Sequence, residues 1–306
     1  MASIYWVGGP GQWTPTNAAN WSLTSGAAGG VRVPAITDLP TFDANSGLAG
    51  GQVTVNYGGL LQVQGIIFGA MVGTLDFATF NNNVRLDSTT AALSGTGTST
   101  RGFNMGSGTW TIVSTSLSTA WNFATVTGLT FSGANANVVF DGVNPGRRTI
   151  ALGTGLTYGR FTFKRNTGRG SISMNGPATF KSLELEPLTH LMLNNSTIYT
   201  IQEAFDWAGT ATEPIGIVSV ADTGFATIAA AAGGTIDGGV LRQVTFTGAG
   251  AKTAINSLDL GLVTGITVTP PAAGGGVAEG YPVKVWNGTG WDPAVVNVAD
   301  GGGWGP

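Results

Sequence analysis

Leu156-Thr-Tyr-Gly-Arg-Phe-Thr-Phe163 and Ala178-Thr-Phe-Lys-Ser-Leu-Glu-Leu185 decide how this chain folds. Each opens with an apolar-Thr-aromatic triplet and passes, after a few residues, into a second alternating pair, Phe161/Phe163 in one and Leu183/Leu185 in the other. Alternation with period two sends successive side chains to opposite faces of a strand, so one face of each segment is buried. The two triplets start 22 residues apart, and Leu129-Thr-Phe131 starts 27 residues before Leu156. That length suits one coil of two or three short strands. A coil that cannot bury its own apolar face must stack on its neighbours. The predicted fold is all-β: a right-handed parallel β-helix, or solenoid, with coils of about 22–27 residues.

Outward from this centre the same alternation recurs roughly every ten residues, from Val53/Val55/Tyr57 through Trp110/Ile112 and Val138/Phe140 to Leu258/Leu260 and Ile266/Val268. That spacing alone also suits a sandwich, and the internal repetition favours the solenoid. Fifty glycines without a G-x-y period mark many turns and short strands. Helix signals are poor, the best being about two turns over Ile201–Gly209.

Charged residues are 9% of the 306, far below the roughly 25% of an average domain, so Thr, Ser, Asn and Gly must cover the surface. Net charge is −3 and no Lys/Arg-rich run occurs, which argues against nucleic acid as a partner. The longest apolar stretches, Gly65 to Gly73 and Phe225 to Gly234, fall short of the ~20 residues that span a bilayer, so no membrane insertion is expected. Met1-Ala-Ser-Ile-Tyr-Trp6 lacks the basic and apolar regions of a secretory signal, and synthesis in a cytoplasm is expected. Without cysteine there are no disulfides, no thiolate chemistry and no cysteine-ligated metal.

Catalytic constellations are scarce. The single histidine, His190, alternates with Leu191 and Leu193 and is placed on the outward side of a strand, and one histidine cannot make a His₂ or His₃ zinc site. No Walker A, strand-linked G-x-G-x-x-G or G-x-S-x-G pattern is present, so no metal, cofactor or catalytic residue is assigned. The candidate acids for glycan cleavage are Asp141, Glu184, Glu186, Glu203, Asp206 and Asp237. Glu184 and Glu186 share one strand face, about 6.5–7 Å apart. Lys164 and Arg165 precede them by about one coil and would lower their pKa values, the wrong direction for a general acid, so a surface ion-pair ladder is expected instead. Glu203, Asp206 and Trp207 form a second candidate sugar patch within the predicted helical turn. The competing reading has Phe205 or Trp207 packing inward.

The two ends are distinctive. Residues 1–50 hold Tyr5-Trp6-Val-Gly8-Gly9, Trp13, Asn20-Trp21-Ser22, Gly29-Gly30, Val33-Pro34, Asp38 and Phe42-Asp43-Ala-Asn45-Ser. Three tryptophans among glycines suit a compact plug over the open apolar end of a solenoid, and the alternative is a sugar-stacking platform of Trp6, Trp13 and Trp21. A solenoid over 51–269 follows, then a Pro/Gly linker at 270–276 and a small β element at 277–306. In that element Val283-Lys-Val-Trp286-Asn287-Gly288-Thr-Gly-Trp291 carries the Asn-Gly signal of a hairpin, with Trp286, Asn287, Gly288 and Trp291 as candidate attachment residues.

The head motif resembles the opening of a family of phage and phage-like virion β-solenoid proteins, and a shortened relative of it opens modules of autotransporter-type adhesins. The middle repeats are similar in style, and the C-terminal motif resembles a hairpin common at the ends of phage tail and other virion proteins. The resemblance implies a non-enzymatic structural component of a bacteriophage virion, either capsid decoration or a tail fibre or spike subunit. It implies other virion proteins as partners, a homo-oligomer that in such fibres is often a trimer, and a host surface glycan as a further partner. The alternative it carries is a glycan-binding receptor-recognition protein, or a polysaccharide depolymerase tailspike.

Overall fold

The computed structural model describes residues 2–88, 92–114, 119–142, 146–167, 170–210, 212–221, 224–271, 282–286 and 291–295. The fold is all-β with long parallel sheets. Its strands form three rows. The first is a twelve-stranded sheet that runs in chain order from Ala2–Trp6 and Asp38–Thr41 to Gly239–Arg242 and Leu258–Asp259, with Trp21–Ser22 added on the outer edge of Ala2–Trp6. The second runs from Gly11–Trp13 and Gln52–Val55 to Val244–Thr247. The third starts with Leu60–Val63, Asn83–Ser88 and Thr109–Ser114. It joins the second along the long strands Leu129–Asp141, Leu156–Phe163 and Ala178–Leu185, and resumes as a separate four-stranded sheet beginning at Phe205–Ala208. From Asp38 onward the chain visits the three rows in strict rotation.

The pairing between the two deciding segments has the offset read from the sequence: Leu156 faces Ala178, Tyr158 faces Phe180, Phe161 faces Leu183 and Phe163 faces Leu185. The Leu129 triplet does not align as expected. Phe131 faces Phe103 of the preceding repeat, while Gly133 faces Tyr158 at an offset of 25, and the offset falls further, to 23 at Asn137–Arg160, across a register shift. The slip is two residues, which keeps inward side chains inward, and the Phe131 and Tyr158 rings still meet at 5.1 Å. Offsets between paired strands also fall outside the expected range in both directions, with 42 from Gly11 to Val53 and 14 from Thr253 to Thr267.

The predicted helix at Ile201–Gly209 is not formed. Phe205–Ala208 is a strand, with Phe205 and Trp207 buried and Asp206 and Ala208 exposed, in register with Gly234–Asp237. A two-turn helix is marginal in water, whereas a four-residue strand docked on an existing neighbour gains ladder bonds and buries both aromatics. Among the described residues the one helical element is the single 3-10 turn Ala44–Ser46, closed by a reciprocal cap between Asp43 and Ser46.

The head is the first turn of the same stack. Trp21–Ser22 folds back antiparallel on Ala2–Trp6, and Trp6, Trp13, Trp21 and Phe42 pack edge-on or stacked with ring separations of 5.1–6.0 Å. The glycines of the head motif are demanded by this approach: a Cβ on Gly8 would lie 2.2 Å from the Asn20 side chain, and one on Gly29 would lie 1.8 Å from the Ala19 carbonyl. Asp38 is buried, receives both Nη groups of Arg32 and accepts from the Ala35 N–H at 2.7 Å. Hydrogen bonding by Arg32 outweighs desolvation and holds the Asp38 carboxyl below the usual carboxylate range.

Two outcomes follow for the head. Trp13→Ala removes a fully buried indole and is expected to cost about 3–5 kcal/mol, measured as a lower denaturation midpoint. A depressed folded-state pKa means that Asp38 contributes stability above the unfolded value near 4 and loses it as pH falls through the folded value. With Arg32 43% exposed, Asp38→Asn should cost about 1 kcal/mol at pH 7 and flatten the acid limb of a stability-versus-pH curve.

Candidate functional site

The charged side chains gather on the outer face of the third row, between Arg160 and Asp206. The deciding strands put them there by parity: Phe161, Phe163, Leu183 and Leu185 point inward, so Arg160, Thr162 and Glu184 point out. Lys164 Nζ lies 2.5 Å from Glu186, the pair expected from the sequence. Glu184 is met by Arg160 at 3.2 Å, not by a basic residue of the Lys164-Arg165 pair, since its register partner is Thr162. Arg165 gives its backbone N–H to Glu186 at 3.0 Å and sends its guanidinium to Glu213. Lys181 and Glu203 approach at 3.9 Å. Burial opposes ionisation of Glu186, but the Lys164 ammonium and the Arg165 N–H overcome it and hold its carboxyl below the usual range.

This face is also where the ladder parts. Glu203 N–H still donates to the Lys181 carbonyl at 2.9 Å, but one residue later the chain leaves its neighbour, and Phe205–Ala208 belongs to a different sheet from Ala178–Leu185. The indole N–H of Trp207 spans the break and donates to the Leu183 carbonyl at 2.6 Å, both groups buried. Above that bridge lies a groove of about 730 Å³, walled by Ser182–Pro187 on one side and Glu203–Asp206 on the other, with Arg160 and Lys164 along it. A smaller depression of about 130 Å³ shares Asn137, Arg160, Ser182 and Glu203 with it.

Of the sequence-selected acids, Glu184, Glu186, Glu203 and Asp206 line this groove. Asp237 lies on the next strand, opposite Ala208, and accepts from the Asn256 amide at 2.9 Å. Asp141 is exposed at the end of Leu129–Asp141. Among the described residues Asp206 forms no ion pair, whereas Glu184, Glu186 and Glu203 each do. Trp207 is fully buried and contributes a hydrogen bond to the wall instead of a stacking surface.

Trp6, Trp13 and Trp21 are likewise fully buried, so their faces are closed to a sugar ring. His190 is half-buried, its ring resting over Gly216 of the following coil. At the C-terminus Pro282–Trp286 and Trp291–Val295 pair antiparallel with Trp286 opposite Trp291, while Asn287 and Gly288 lie outside the described residues. Arg160 and the groove itself were not anticipated; the outward parity of Arg160 was a usable signal, the parting of the ladder was not. Among the described residues no three His, Asp or Glu side chains converge as metal ligands, and no helix is long and apolar enough to cross a membrane.

Trp207→Phe keeps the ring and deletes the N–H, leaving a buried carbonyl unpaired. It is expected to cost about 1–3 kcal/mol and to raise amide exchange in 182–186 and 203–208 before the rest of the fold. No family model, curated protein or solved structure matches this chain.

Proposed function

We propose that the chain is a right-handed parallel β-helix and serves as a non-enzymatic structural component of a bacteriophage virion, exposed on the particle as capsid decoration or as a tail fibre or spike subunit. The observation that carries this reading is the uninterrupted parallel pairing of the first row from Ala2 to Leu258. At about 4.8 Å per strand it makes a stack of roughly 50 Å that satisfies its backbone internally. Strict rotation through three rows supports the helix, and parallel crossovers are right-handed in about 98% of cases. The head motif and the C-terminal hairpin motif resemble those of virion solenoids and support other virion proteins as partners, in a homo-oligomer of which a trimer is the first form to test.

A second reading is favoured by the groove. Its acids and bases, with Asp206 left to engage a ligand hydroxyl or amine, suit recognition of a host surface glycan. Its carboxylates are mostly committed to cations, and Glu186 is held ionised, which speaks for binding over cleavage by a depolymerase.

Gold labelling of a C-terminal tag on purified particles should decorate either the head in a regular lattice or the tail. Particles that carry no label in either place would sink the virion assignment. On the same preparation, host polysaccharide incubated with the protein should yield no new reducing ends, and their appearance would overturn the non-enzymatic reading. Loss of glycan binding in Asp206→Asn at unchanged melting temperature would make the groove the receptor site.

A further inference from the structure

The two ends of the stack are finished differently. At the N-terminal end Trp21–Ser22 turns back over the first strand and every core indole is buried. At the other end the coil after Val244–Thr247 is covered on one side only. Inward positions Leu241, Val244 and Ala254 are fully buried, yet Leu258, Val263, Ile266 and Val268 of the last coil are half-buried. Beside them Ile255 is 40% and Leu262 60% exposed. Leu262 also holds φ at 61°, a backbone region that residues with a Cβ avoid, so an apolar side chain is displayed at a conformational cost.

We propose that the C-terminal hairpin of the same chain, Pro282–Trp286 with Trp291–Val295, packs on this end face. The last coil holds the exit of the chain beside the patch: Ser257 N–H donates to the Thr269 carbonyl at 3.0 Å, and Thr269 N–H to the Ala254 carbonyl at 2.7 Å. The connection over 272–281 can reach at most about 35 Å, enough to cross the end of the stack and short enough to keep the hairpin at high local concentration. A two-stranded hairpin has little stability alone and needs an apolar surface to lie on. The surface and the hairpin each lack what the other supplies. A second copy is the poorer fit by strand addition, because the terminal strands Leu258–Asp259 and Thr267–Val268 are only two residues long and the edge of the third, Val244–Thr247, is already bonded by Thr264.

The test is hydrogen exchange on the full-length protein, comparing the native chain with the double variant Ile255→Thr/Leu262→Asn. Both side chains are exposed and both replacements suit their backbone, so the stack itself should stay folded. Amides of 282–295 should be protected by at least about tenfold over an unstructured chain, and the double variant should abolish most of that protection while Ala178–Leu185 stays unchanged. Unprotected hairpin amides in the native chain, or protection indifferent to the double variant, would overturn the proposal. So would protection that disappears on dilution together with a drop in sedimentation coefficient, which would assign the face to a second copy. None of these outcomes depends on whether the protein is a virion component.

Discussion

Each inward side chain of this protein sits one strand spacing, about 4.8 Å, from its counterpart in the next coil, and the parallel ladder fixes that separation. The interior is therefore a set of columns in which like must lie on like. Phe140 stacks on Phe163 at 4.9 Å and Tyr158 on Phe180 at 5.8 Å, both pairs being register partners or adjacent to them.

The ladder satisfies strands but not corners, and the few polar groups placed inside are spent there. Asn82 accepts from Tyr57 N–H at 2.8 Å and donates to the Val55 carbonyl at 2.7 Å in the preceding coil, while Asn81 and Asn83 accept from Ser107 and Thr109 N–H in the following one. Arg101, buried, gives its guanidinium to the carbonyls of Gly95, Ser99, Thr125 and Thr127, tying two successive corners. Lys252 closes a single turn, donating to the Gly248 and Gly250 carbonyls. A chain with so few charges puts several of them where they close turns, a use that composition alone disguises as mere scarcity.

What could be read from the sequence follows from the same constraint. Inward and outward assignment needs only parity, so Phe161, Phe163, Leu183 and Leu185, the outward Glu184 and the Lys164–Glu186 pair were legible. Register needs the partner strand, and a triplet pattern does not mark where the offset between two strands changes, so the Leu129 alignment missed by two residues at Gly133. Phe205-Asp-Trp-Ala208 carried the alternation of a strand, but its window was short enough for a helical turn to compete until a neighbouring strand was in place. Tryptophans in a Gly-rich segment signal close packing and sugar stacking equally well. The choice depends on whether a Cβ at Gly8 and Gly29 would collide with the chain beside it, and that is a property of the assembled head.

The groove is the place where the governing constraint is relaxed. Everywhere else along the third row a strand edge is taken up by the next coil, but beyond Lys181 the edge of Ala178–Leu185 is met by an indole and by water-facing carboxylates. A parted ladder gives up backbone hydrogen bonds that the rest of the fold makes at every step, and the Trp207 bridge recovers one of them at the depth where an unpaired carbonyl would cost most. The charges above it cannot account for the parting on energetic grounds, since exposed pairs such as Arg160–Glu184 contribute about 1 kcal/mol or less. A fold that is otherwise consistent from residue to register and departs from its own rule at one spot, with polar side chains arrayed around the departure, has the pattern in which local irregularity is retained for a purpose other than stability. On the function proposed above, the purpose that such a slot can serve without disturbing the columns beneath is contact with something outside the stack.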